Sequence, residues 1–265
     1  MMKSLTLVLL SAMALAACAP NSNNNVANTQ GEQIVGGDKV ERGSDVIRST
    51  VALYDTKEHA LCSGTLIAPD LVLTAGHCVG ADPSKMIVFF SNEVKGAAKK
   101  DMRAVVAARV HKDYAPKKTY NTADIAIVKF AGGMAEGYAP AKFLADAYLL
   151  QNDAQVVVAG FGLNWTWVVK KGAGTLRTTT LKIADAKFSP TEISLDQSVK
   201  RGICSGDSGG PAYLRVNGQL YIWGVASRGD SLPLPLTPDC FIFSVFTRAD
   251  AYGDWIADTM AALRK

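Results

Sequence analysis

From residue 34 onward the apolar positions fall mostly in short runs. Thr65-Leu66-Ile67, Leu71-Val72-Leu73-Thr74, Ile87-Val88-Phe89-Phe90, Ile125 to Phe130, Gln155 to Ala159, Thr178 to Ile183, Tyr221 to Ala226 and Phe241 to Thr247 are apolar or β-branched, with Gly, Pro, Asn or Asp between them. Runs of this length, bounded by turn formers, predict strands, and their rhythm predicts an all-β barrel or sandwich. One segment breaks the rhythm. Tyr252, Trp255, Ile256, Met260 and Leu263 recur at helical spacing, and Arg264 and Lys265 follow where the helix dipole favours cations. Asp250 is placed to cap the start of that helix.

The first 33 residues follow a different pattern. Lys3 gives a positive start, Leu5 to Leu10 an apolar centre, and Ala14 to Ala17 a mostly small-residue end. This is a secretory signal, too short for the ~20 apolar residues of a bilayer span. Its last residues and the next, Leu15-Ala16-Ala17-Cys18, resemble the lipobox of bacterial lipoproteins, in which the Cys sulfur carries a diacylglyceryl group. The alternative is a plain signal peptide with a chance Cys. Ala19 to Gln33 is Asn-rich and nearly devoid of large apolar residues, so it reads as a flexible tether. The expected organisation is a signal peptide at 1–17, a lipid-anchored tether at 18–33 and one globular domain at 34–265. Within that domain an N-terminal barrel covers about 34–136, a C-terminal barrel about 137–249 and a helix 250–264.

Composition narrows the function only a little. The chain has 265 residues, 48% of them hydrophobic and 20% charged, with a net charge of +4. No basic stripe with interleaved aromatics is present, which argues against a nucleic-acid partner. The three histidines, His59, His77 and His111, are too dispersed for a metal site, and nothing calls for a cofactor. Five cysteines in an exported chain leave one without a partner, and lipidation of Cys18 leaves four for two bridges.

The chemistry lies in three strings. Gly206-Asp207-Ser208-Gly209-Gly210-Pro211 sets a Ser among glycines, where the backbone turns tightly and can approach a carbonyl. Thr74-Ala75-Gly76-His77-Cys78 puts a His at the end of an apolar strand. Asn121-Thr122-Ala123-Asp124-Ile125-Ala126-Ile127 puts an acid at the mouth of a buried strand, where a carboxylate needs a partner. Acyl transfer needs a nucleophile, a base, a group that orients the base, and donors for the oxyanion, and the sequence supplies each. Gly206 to Gly210 also fits the nucleophile elbow of α/β-hydrolases, but that fold needs its His after the Ser, and all three histidines precede Ser208.

In chain order, with His77 first, Asp124 next and Ser208 last, the three strings resemble the motifs of the trypsin/chymotrypsin-like serine proteases, and the resemblance spans about Ile34 to Lys265, including Ala159-Gly160-Phe161-Gly162 and the terminal helix. It implies two packed antiparallel six-stranded β-barrels with a C-terminal α-helix. It implies that Ser208 attacks, that His77 is base and then acid, and that Asp124 orients the imidazole. Gly206 and Ser208 would supply the oxyanion donors. Disulfides Cys62–Cys78 and Cys204–Cys240 follow from the same resemblance. Gly76 departs from the usual Ala. Ile34-Val35-Gly36-Gly37 resembles the mature N-terminus, so cleavage before Ile34 by an activating protease would free an ammonium to pair with Asp207.

Four positions align with the primary pocket: Gly202 at its floor, Ile203 beside it, and Gly229 and Ser244 on its walls. With no acid at the floor, the expectation is an uncharged, apolar preference, with a large or aromatic residue fitting an open slot. A second reading has Arg228, with Lys200 or Arg201, admitting an acidic residue. The expected function is a secreted endopeptidase acting on proteins or peptides. It would be held on the bacterial cell envelope, in the periplasm or at the outer membrane, through Cys18 until activation and soluble afterwards. Competing readings are a protease fold that has lost catalysis and serves as a binding protein, and a structural surface lipoprotein.

Overall fold

The computed structural model describes residues 34–35, 37–41, 43–164, 171–199, 201–229 and 240–264. The signal segment, Cys18, the tether and Gln33 lie outside them, as do Gly36 and Lys200.

Two closed barrels account for nearly all of the strands. A short β1 (Asp38–Lys39) precedes them. The first barrel consists of β2 (Thr50–Asp55), β3 (Ala60–Ala68), β4 (Leu71–Thr74), β5 (Met86–Phe89), β6 (Met102–Val110) and β7 (Ala126–Phe130). They close in the order β2-β3-β4-β7-β6-β5, antiparallel throughout. After β8 (Lys142–Phe143) come β9 (Gln155–Gly160), β10 (Arg177–Ser189), β11 (Glu192–Asp196), β12 (Pro211–Val216), β13 (Gln219–Gly229) and β14 (Phe243–Arg248). Strand β9 pairs with both β10 and β12, so these six also form a ring, with β1 added beside β10 and β8 beside β13. The chain ends in α1 (Gly253–Arg264).

Side-chain period explains the strand faces. Along β10, Leu181 and Ile183 point inward while Thr180 and Lys182 stay exposed. The strand runs on past Ile183 through two register shifts, at Asp185 and before Ser189, which interrupt its apolar alternation. Sequence pattern alone therefore ends it early. Strands β6, β11 and β12 carry no clean apolar run either: β6 mixes Arg103 and Arg109 with alanines on a half-buried surface.

The first core centres on Phe90, whose ring meets Phe130 at 5.4 Å and Tyr138 at 4.9 Å, edge to face. The second holds Trp223 against Phe246 at 5.8 Å. Tyr213, fully buried on β12, reaches across to the first barrel and shares hydrogen bonds with Ser49 (2.7 Å) and Thr50 (3.2 Å). Helix α1 buries Ile256, Thr259 and Leu263, and Lys129 donates to the Leu263 carbonyl. His111 docks the helix start, its ring 4.9 Å from Tyr252 and 5.1 Å from Trp255, and burial pushes its pKa down. Asp250 is not the cap expected of it. It lies inside a 3₁₀ turn (Asp250–Tyr252) and takes two hydrogen bonds from Arg248 instead.

Replacing Phe130 with Ala should cost about 3–5 kcal/mol, because the cavity opens in the middle of the edge-to-face cluster. Urea unfolding of the variant should show that loss as a lower midpoint with an unchanged slope.

Candidate active site

Strand β4 delivers His77 into a single 3₁₀ turn, Gly76–Cys78. Its backbone N–H donates to Asp124 Oδ1 at 3.0 Å and its Nδ1 pairs with Asp124 Oδ2 at 2.8 Å. Two bonds from one residue fix both oxygens, so the carboxylate sets the plane of the ring. A third donor completes the acceptor set: Ser227 Oγ bonds Oδ2 at 2.7 Å. Asp124 is 4% exposed. Burial works to raise its pKa, but the His77 and Ser227 hydrogen bonds and the nearby imidazole outweigh it and hold the carboxyl below its ordinary value. Gly76 fits this crowding, since a Cβ there would stand 3.1–3.2 Å from Val110, Tyr114 and Asp124.

The Ser208 loop is pressed against the His77 turn. Gly209 has φ +78°, and a Cβ on it would collide with Thr74 Oγ1 and the Ser63 carbonyl. The Ser208 carbonyl accepts from Ser63 N–H at 2.8 Å, and Gly209 N–H donates to Ala226 at 2.7 Å. Disulfide Cys62–Cys78 ties β3 to the residue after His77, with Cα atoms 6.1 Å apart. Cys204–Cys240 ties the Ser208 loop to the chain before β14, at 5.4 Å. The sulfurs of Cys62 and Cys78 lie close to His77, but they are bonded to each other and offer no thiolate to a cation.

Carbonyls on either side of the Gly206 Cα are each held by a donor from another segment. Leu163 N–H donates to Ser205 O at 2.8 Å, and Ser63 Oγ donates to Gly206 O at 2.9 Å. A trans peptide sets N–H opposite C=O, so fixing Ser205 O also aims the Gly206 N–H. Gly206 itself has φ +97°, a conformation only glycine adopts freely.

Asp207 lies just before Ser208 and is buried without a side-chain hydrogen-bond donor among the bonds described. Its side chain is fully buried and accepts from Gly162 N–H and Cys204 N–H, both at 2.8 Å. A Cβ on Gly160 or Gly162 would strike its carboxyl group, so both positions require glycine. Burial pushes its pKa up to about 7, against the pull of the two N–H donors and Arg177. Ile34 is fully buried, and Val35 bridges to Gly202 through Gly202 N–H (2.9 Å) and packs on Cys204 and Cys240. Ile34 and Val35 therefore lie along the stretch that leads from Gly202 to Asp207.

The positions assigned to the primary pocket are placed as follows. Gly202, Ile203 and Ser244 are buried, and Ser244 pairs with Gly229 across β13 and β14. Gly202 does not leave an open slot: a Cβ there would run into Gln197. The Gln197 amide is fully buried and spans the gap, with Nε2 donating to Cys240 O (2.9 Å) and Ile203 O (3.3 Å) and Oε1 accepting from Ile203 N–H (2.8 Å). Arg228 is also not a free cation for the pocket. Its guanidinium makes two bonds to buried Glu192, 2.8 and 3.0 Å, so its charge is already matched within the protein. Sequence reasoning missed Gln197, Ser227, Glu192 and Ser63, because each acts through partners distant in the chain and none stands in a distinctive local string.

Two barrels, with the Ser208 loop beside the His77–Asp124 pair, fit a serine endopeptidase. The model of the trypsin family matches residues 34–256, and the chain belongs to that family. Among relatives, it is 26% identical to chymotrypsin-like elastase family member 1 of Canis lupus familiaris over 257 residues, 91% of this chain and 97% of the relative. It is 27% identical to a trypsin of Phaedon cochleariae over 219 residues, covering 77% and 80%.

A carboxyl whose folded pKa is raised contributes stability that is present below its unfolded pKa and lost as pH rises through the folded value. For Asp207 the window is about pH 4 to 7. The uncut chain should lose stability across it, by an amount on the order of a few kcal/mol. Thermal melts of the uncut chain and its Asp207→Asn variant check this: the wild-type midpoint should fall relative to the variant as pH rises.

Proposed function

We propose that Ser208, His77 and Asp124 form the catalytic triad of an exported endopeptidase that is activated by cleavage before Ile34. The observation that carries this is the doubly bonded His77–Asp124 pair set against the Ser208 loop. Ser208 Oγ attacks the scissile carbonyl while His77 Nε2 takes its proton, and Nδ1–H stays on Asp124. The developing oxyanion receives the Gly206 and Ser208 N–H groups. His77 returns the proton to the leaving amine, and water then hydrolyses the acyl ester by the same route.

Activation follows from the state of Asp207. A carboxyl with a pKa near 7 is only partly ionised at neutral pH. An ammonium freed at Ile34 would hold it ionised and fix the loop that carries the oxyanion donors. The primary pocket takes uncharged, apolar side chains, because the Gln197 amide spends both N–H groups on backbone carbonyls and offers no charge. Since that amide also fills the floor, side chains of middling size suit the pocket better than aromatic ones.

An active-site fluorophosphonate should label the cut chain at Ser208, and Ser208→Ala should lower kcat by about a millionfold while leaving the fold intact. Peptide-library profiling should show little cleavage after Lys or Arg. Retained hydrolysis by the alanine variant, or a profile dominated by basic residues, would contradict the assignment.

The proposal extends to the envelope. With Cys18 lipidated, residues 19–33 are the only tether, and no Cys among them could hold the propeptide to the domain after the cut. The same cut before Ile34 would then activate and release the enzyme. N-terminal sequencing should find soluble, active protein starting at Ile34 and membrane-bound, poorly active protein retaining the tether.

A further inference from the structure

Glu192 opens β11 and is fully buried, although it is an acid. Its carboxylate accepts from Asn121 N–H (2.9 Å), Thr122 N–H (3.1 Å), Thr122 Oγ1 (2.8 Å) and Ser189 Oγ (3.3 Å). Arg228 closes the set with Nη1 on Oε1 and Nη2 on Oε2. Burial opposes ionisation of this group, but the Arg228 and Thr122 bonds overcome it and hold the carboxyl at about 2. It is therefore charged at neutral pH.

Two features connect this pair to the triad. Asn121 (φ 52°) and Ala123 (φ 50°) both sit in the left-handed region immediately before Asp124, a shape that residues with side chains rarely adopt unaided. Glu192 takes the N–H groups of Asn121 and Thr122 within that stretch, and Arg228 Nη2 donates to Thr119 O at 2.7 Å. On the other side, Arg228 directly follows Ser227, whose hydroxyl bonds Asp124 Oδ2. One ion pair thus grips both the backbone that delivers Asp124 and the strand that delivers its hydroxyl donor.

We propose that the Glu192–Arg228 pair positions the catalytic acid, with Glu192 shaping the 119–123 segment and Arg228 holding Ser227 in register. The inference rests on the triad roles proposed above. Glu192 is fully buried, so it has no route to the substrate, and its influence must pass through Asp124 and His77.

The test is steady-state kinetics on the cut, full-domain enzyme with Glu192→Gln, a near-isosteric change that replaces acceptors with an N–H₂ facing backbone donors. The expected result is a kcat lowered about 10- to 100-fold, with KM within about twofold of wild type and a cooperative thermal melt. Glu192→Asp and Arg228→Lys, which keep the charges and alter only the reach or the fork, should recover part of the lost kcat. They also carry the test if Glu192→Gln does not fold: a lower kcat at constant KM in either supports the proposal. Unchanged kcat in a folded variant, or a loss seen only in KM, overturns it. Wild type and Ser208→Ala are run alongside. An inactive wild type, or an active Ser208→Ala, would instead overturn the triad reading itself.

Discussion

A carboxylate sealed from water must be answered from every side, and Asp207 imposes that requirement on the centre of this enzyme. Its two oxygens take backbone N–H groups from two separate segments, Gly162 and Cys204. Gly160 and Gly162 can only be glycine because the carboxyl group lies where their side chains would start. Leu163, next in line, then fixes Ser205 O, and through it the peptide whose N–H faces the cleft. The 160–163 segment, the disulfide-bearing loop and Ser208 are therefore one mechanical unit built around a buried carboxyl group. Two N–H donors do not offset the full cost of burial, so the group stays near pKa 7 in the uncut chain. That unmet demand for a cation gives the proposed cut before Ile34 its physical sense.

The first barrel solves the opposite problem. Asp124 is nearly as buried, yet its three hydrogen bonds keep it ionised below its ordinary range. On the proposed activation, Asp207 gains its ammonium partner only after the cut, while Asp124 already has its partners in place. Both barrels contribute to the second: His77 comes from the first and Ser227 from the second. The Tyr213 hydroxyl, bonded to Ser49 and Thr50, joins the barrels elsewhere, and the proposed triad draws on residues of both.

The sequence exposed the parts of this arrangement that are written in contiguous residues. The strings around His77, Asp124 and Ser208 each combine a reactive side chain with the small or apolar neighbours that its turn requires. Fully buried runs such as Leu71–Thr74 are strands on inspection. Gln197, Ser227 and Glu192 left no such trace. A buried Gln that bonds the backbone of Ile203 and Cys240 looks like any surface Gln, and Asn121, Thr122 and Arg228, which hold Glu192, lie 71, 70 and 36 residues away from it. Arg228 shows the same limit from the other side: as a bare letter it read as a free cation, and only the fold reveals the acid beneath it. Asp250 likewise suited a helix cap until Arg248 proved the nearer claimant.

The central claim is that a free ammonium at Ile34 completes the site by ionising Asp207. Two forms of the domain separate that charge from every other effect of cleavage: one beginning at Ile34, the other keeping a single residue ahead of it. Their kcat/KM values on one peptide substrate are the direct measurement. The account predicts that both fold and that the extended form is slower by at least about 100-fold, since its ammonium is displaced from the pocket. Equal rates from two folded forms would contradict it.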